Sequence, residues 1–198
     1  MTMNRSLVIG CGALARELVS ITRQLPNVEV ACLLAELHNR PGGIPGAVRS
    51  RIADARAEGF ERIFVAYADC GTGGLLDRIL ADEHVDRLPG AHCYEFYAGS
   101  AEFARLADEE PGTFYLTDFL VRNFDRLVIR GLGIDRHPEL RADYFGNYRR
   151  IVYLAQTDDS TLLEAARAAA ARLGLTFEHR LTGLGDLATA VRAFAGAA

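Results

Sequence analysis

The strongest constraint on this chain is an alternation of short apolar runs with amphipathic stretches. Ser6–Gly10 (SLVIG) reads as a first strand. Ala13–Leu25 follows with Leu14, Leu18, Ile21 and Leu25 at helical spacing, and Pro26 closes it. Val28–Ala35 reads as strand two, and His38–Pro45 (HNRPGGIP) as a turn-rich loop. Gly46–Glu58 reads as a helix, Arg62–Ala68 (RIFVAYA) as strand three and Leu75–His84 as a helix. Val85–Leu88 is a short fourth strand. Strands alternating with helices call for βαβ units around a parallel sheet.

The middle of the chain is less regular. Ser100–Asp108 reads as a helix, Pro111–Thr113 as a turn and Tyr115–Arg130 as a helix with Leu116, Phe119, Leu120 and Leu127 on its apolar face. Pro138–Tyr148 reads as an aromatic-rich helix. The α/β pattern then returns. Arg150–Ala155 (RIVYLA) is a strand, Ser160–Leu173 an Ala-rich helix capped by Gly174, Thr176–Arg180 a strand and Asp186–Phe194 the last helix. The expected fold is α/β: a Rossmann/flavodoxin-like parallel sheet with helices on both faces and a helical insertion. It is expected to form one domain over 1–198, with lobes 1–99 and 100–198 as the alternative.

Composition narrows the chemistry. All 22 basic Lys+Arg residues are arginine. Without lysine there is no Walker-A phosphate loop and no lysine Schiff base. The net charge of -4 offers no nucleic-acid footprint. No run reaches the ~18–20 apolar residues of a membrane span, and the N-terminus reads as a strand, not a signal peptide. A cytoplasmic protein is expected.

Four cysteines in such a chain point to metal or thiol chemistry rather than disulfides. Cys32, between apolar neighbours in strand two, reads as a core residue. The others each follow a strand: Cys11 after strand one, Cys70 after strand three, and Cys93, beside His92, after strand four. Ligands bind at the carboxyl ends of strands in an open parallel sheet. In the order 2-1-3-4, strands one, three and four are neighbours, so Cys11, Cys70, His92 and Cys93 would share one rim. Such thiolate and imidazole donors suit Zn²⁺ or another transition metal. Asp69 and Glu95 are candidate orienting or acid/base groups. Gly10, Gly12 and Gly71 would let backbone approach a ligand. His38 reads as a solvated loop residue.

Gly10–Ala15 also fits G-x-G-x-x-A between a strand and a helix, with Glu36 where a dinucleotide fold keeps its ribose-binding acid. This leaves an NAD(P)- or flavin-dependent oxidoreductase as one alternative. The segments YLTD (Tyr115–Asp118), RHPEL (Arg136–Leu140), YFGNYRR (Tyr144–Arg150) and TDD (Thr157–Asp159) are dense in polar and aromatic groups. Tyr144, Phe145 and Tyr148 read as core or interface, and a homodimer is compatible with them. No serine lies in a G-x-S-x-G elbow.

The strings CGALARE, AYADCGTGG, LPGAHCYEFYAG, PGTFYLTDFLVRNFD, GLGIDRHPEL and YFGNYRRIVYLAQTDD resemble the domain of unknown function 1638 family, from about residue 6 to about residue 190. The resemblance implies a prokaryotic protein that accompanies corrinoid-dependent methyltransferase systems. The expected function is then a zinc-type Cys/His-site enzyme, a metal-dependent methyltransferase in one-carbon metabolism. It would act on a small-molecule substrate, with a corrinoid protein or methyltransferase as partner. A non-catalytic metal- or corrinoid-binding accessory protein is the alternative with the same residues.

Overall fold

Ser6–Cys11 (β1) is buried along its whole length, as a central strand with both faces covered must be. The computed structural model describes residues 5–196, so the ends of the expected 1–198 domain lie outside the described residues. After β1 come Ala15–Thr22 (α1), Val28–Leu33 (β2), Ile44–Ala57 (α2), Arg62–Ala66 (β3), Leu75–Glu83 (α3), Asp86–Arg87 (β4) and Cys93–Ala98 (α4). The four strands form one parallel sheet in the order β2-β1-β3-β4. That is the order expected from the sequence, and it brings the carboxyl ends of β1, β3 and β4 side by side. β4 has only two residues, because its flanks are drawn into the turns that lead toward Cys93.

Next come Ser100–Glu109 (α5), Thr113–Thr117 (β5), Asp118–Arg122 (α6), Leu140–Phe145 (α7), Arg150–Ala155 (β6), Ser160–Leu173 (α8) and Thr176–Leu181 (β7). β5, β6 and β7 make a separate parallel sheet with β6 in the centre. Its core gathers Leu116, Ile151, Tyr153, Ala166 and Leu173. α8 has a well-defined start and stop. The Asp159 side chain accepts from the amides of Thr161 and Leu162, and Gly174 ends the helix at φ 75°.

The final helix, Gly185–Gly196 (α9), packs on α1 and β3. Phe194 stacks on Phe64 with 5.3 Å between ring centroids. The chain thus divides into two compact units. One holds the chain up to Phe96 and from Leu184 onward, and the other holds Tyr97–Gly183.

The expected parallel α/β architecture is present, with the strands of the described residues divided between two sheets. Two expectations need correction. Tyr115–Arg130 is not one helix: its start belongs to β5, which pairs from Thr113 opposite Arg150 to Thr117 opposite Leu154. Thr, Phe and Tyr in TFYLT favour a pleated surface, and the long-range pairing overrides the helical spacing. The stretch then runs through α6 into a π-type turn at Asp125–Ile129. Cys32 is not core but exposed, because β2 is an edge strand.

Candidate functional site

The loop after β3 and the loop after β4 are held together by backbone. The Asp69 amide donates to the Gly90 carbonyl at 3.0 Å and the Cys70 amide to the Ala91 carbonyl at 2.9 Å. Arg87 braces this arrangement from the side. Its Nε and Nη2 meet the Asp77 carboxylate at 2.6 and 2.9 Å, and its Nη1 donates to the Leu88 carbonyl at 2.6 Å. The result places Cys70 against Cys93, the first residue of α4.

Cys70 adopts φ 50°, a left-handed conformation that L-residues other than Gly rarely take. Such strain persists where surrounding contacts over-determine it. Here Asp69 does so: its carboxylate accepts from Thr72 Oγ1 at 2.6 Å, the Gly74 amide at 2.9 Å and the Gly73 amide at 3.2 Å. The following Gly71 sits at φ 83°, which only glycine adopts without cost. Thr72 and Gly74 donors, in that order, hold the Asp69 carboxyl down to about 2.

The two thiols are electrostatically unequal. The Cys93 thiol donates to Cys70 and stabilises it as thiolate. This outweighs burial and lowers the Cys70 pKa, with further help from the Ala68 and Cys93 backbone. Cys93 is pushed well up by the same hydrogen bond and by burial, so it is the protonated partner. Cys11, the last residue of β1, is raised by burial and stays a thiol, and its sulfur accepts from the Ala13 amide at 3.5 Å. Tyr67 completes the cluster. Its ring is 1% exposed and its hydroxyl is buried without a geometrically formed hydrogen bond. Burial first, then the neighbouring Cys11, drives its pKa far up. Partial desolvation and then His92 lower the pKa of His38, so these two loops also come near each other.

Cys11, Cys70 and Cys93 therefore meet at one rim, with His92 exposed beside them. Asp69 holds the turn through its carboxylate. Glu95 does likewise: its Oε2 accepts from the Ala91 amide at 2.9 Å. Gly10 and Gly12 serve packing. A Cβ on Gly10 would lie 2.2 Å from Leu18 Cδ1, and one on Gly12 would lie 2.9 Å from the Leu33 carbonyl oxygen. The space at Gly12 is filled by the chain itself. Tyr67 was not singled out in the sequence. Its only signal is a polar tip on the last buried step after an apolar strand.

Among the described residues, no three His, Cys, Asp or Glu side chains are grouped as the ligands of a metal ion. Also among the described residues, no helix is long and apolar enough to cross a membrane.

Fold and rim together define a parallel α/β protein whose strand ends present cysteine thiols. The chain belongs to the family described as Protein of unknown function (DUF1638), which it matches over residues 32–191. The match includes Cys70, His92 and Cys93 and begins within β2, after Cys11. No curated protein and no solved structure matches the chain.

Proposed function

We propose that this rim is the thiol centre of an enzyme of one-carbon metabolism, with Cys70 as the nucleophile that accepts a methyl group. The observation that carries this reading is the placement of Cys70: the Asp69 turn holds it at φ 50° at the carboxyl end of β3, beside Cys93, whose proximity lowers the Cys70 pKa. The thiolate is the nucleophilic form of cysteine. The methyl substrate class, and a corrinoid-bearing partner as its source, come from the family resemblance.

In the transfer, the Cys70 sulfur forms a bond to the methyl carbon while the bond to its former carrier breaks. The carrier keeps that electron pair, so no proton or oxidant is needed. Cys93 holds Cys70 charged until attack and retains its own proton. Tyr67 places its buried hydroxyl against the Cys11 thiol. A zinc-type ion would need Cys11 or His92 brought alongside the pair.

The test is site-resolved mass spectrometry of the full chain, first with iodoacetamide across pH and then with methylcobalamin as methyl donor. Cys70 is expected to alkylate with a midpoint below that of exposed Cys32. Cys93→Ala removes the donor and should move that midpoint upward. A methyl mass gain on Cys70 from methylcobalamin supports the full reading. Cys70 labelling only after unfolding, with Cys32 labelled normally, overturns it. Elemental analysis of untagged protein forms the metal arm. Near-stoichiometric zinc that is lost in Cys70→Ser would replace the metal-free nucleophile with a metal centre.

A further inference from the structure

Cys70 and Cys93 come from loops after different strands, yet backbone fixes both. The Cys70 amide donates to the Ala91 carbonyl at 2.9 Å. The Ala91 amide donates to Glu95 Oε2 at 2.9 Å, and the Glu95 amide closes back on the His92 carbonyl at 3.1 Å. Cys93 is thereby held at the start of α4, two residues from the contact that anchors Cys70. On the other side, the Asp69 carboxylate locks the Cys70 turn through Thr72 and Gly74. The two side chains lie within hydrogen-bonding reach of each other, and both are free thiols. Groups that a fold already holds together react with little further loss of entropy.

Cys11 is the competing neighbour, but its sulfur is engaged by the Ala13 amide at 3.5 Å and by the Tyr67 side chain. The side-chain partner of Cys93 is Cys70. We propose that Cys70 and Cys93 form a reversible dithiol–disulfide pair that exchanges with small organic disulfides, Cys70 attacking and Cys93 resolving. The Cys70 thiolate attacks one sulfur of the small disulfide. That S–S bond breaks, and its electron pair leaves with the other half as a thiolate. Once Cys70 is capped, Cys93 loses the neighbouring anion that holds its proton on. Cys93 then gives up that proton and attacks the Cys70 sulfur, displacing the second half. Two protein thiols are oxidised to one disulfide, and the small disulfide is reduced to two thiols. The proton of Cys93 and the one Cys70 had already released to solvent end on those two thiols. Ring closure also withdraws the sulfur assigned above to methyl transfer, a consequence that rests on that reading.

Peptide mapping of the native full chain after exposure to glutathione disulfide tests the pair. Arg78 and Arg87 lie between the two cysteines, so trypsin separates them and a link joins two peptides. The expected result is a Cys70–Cys93 link, with loss of two of the four alkylatable thiols and full recovery in dithiothreitol. In Cys93→Ser the glutathione should instead stay on Cys70 as a mixed disulfide. The wild-type link is read without any variant, and exposed Cys32 serves as the internal control. A link from Cys11 to either residue in its place overturns the assignment. So does a Cys70–Cys93 link that forms only in unfolded chain, or a glutathione adduct that persists on Cys70 in wild type as in Cys93→Ser. No methyl donor enters, so failure of the methyl-transfer reading leaves this result standing.

Discussion

The two sheets end in opposite kinds of rim. At the carboxyl end of β5 and β6, Asp118 is fully buried, yet its carboxylate is well supplied. Tyr153 donates its hydroxyl at 2.7 Å, Thr157 its hydroxyl at 2.6 Å and Gln156 its amide at 3.0 Å. The Asp118 amide in turn donates to Gln156 Oε1 at 2.8 Å. At the corresponding end of β1 and β3, the buried groups are thiols and a tyrosine hydroxyl. One cysteine is held in a left-handed conformation, and the hydroxyl has no formed hydrogen bond. A satisfied buried network fixes structure. Strain and unspent hydrogen-bonding capacity are what a chain retains where something else must bind. By that contrast the second rim is a clasp, and the first is the rim proposed above as a thiol centre, although both stand where parallel sheets place ligands.

The largest effect that tests this contrast is on stability. Asp118→Ala should strand three donors around a void and cost about 3–5 kcal/mol, as breaking a buried charged network does. Chemical denaturation of the full chain reads this. Cys70 alkylation, measured under native conditions where the variant stays folded, should keep its wild-type pH midpoint. A cost below 1 kcal/mol would show that the Asp118 network is not a clasp, and the contrast would fail.

A smaller effect is expected at Asp69, whose role is local. Asp69→Ala removes three turn hydrogen bonds and should cost about 1–2 kcal/mol, the range of a lost side-chain cap. The pH dependence follows from the depressed carboxyl, near 2 in the fold against 3.8 unperturbed. The unfolded chain takes up the proton first. The contribution is therefore complete above about 3.8 and is lost as pH falls from there through 2. Wild type should lose this increment over that window and Asp69→Ala should not. Parallel acid titrations of the two proteins, followed by denaturation midpoint, decide it. Asp69→Ala should also shift Cys70 alkylation, because the turn that aims the thiol is released.

What the sequence revealed about these rims divides by range. The RIVYLA run gave β6 its full extent. Gly174 marked the end of α8, because a glycine cap is local chemistry. Gathering Cys11, Cys70 and Cys93 needed only strand order, and the βαβ pattern supplied that. β5 was hidden because Leu116, Phe119 and Leu120 mimic a helical face, while the pairing that makes TFYLT a strand lies with Arg150–Leu154. Tyr67 was hidden because a tyrosine hydroxyl becomes informative only once burial leaves it without a bond. That Asp69 and Glu95 each accept from neighbouring loop amides was also out of reach, because those turns form only in the fold.

The finest discrimination between clasp and site lies in the backbone of Cys70. A left-handed non-glycine residue costs roughly 1–2 kcal/mol. Cys70→Gly releases that strain and forfeits the thiol contacts, so the two terms oppose. The expected net change is within about 1 kcal/mol of wild type, and thiol reactivity at the rim is abolished. Cys70→Ala keeps the strain and should be less stable than Cys70→Gly. Denaturation midpoints of the two variants, measured side by side, settle the order. If Cys70→Ala were the more stable, the left-handed turn would cost nothing. Cys70 would then be a packing residue, and the first rim would be as much a clasp as the second.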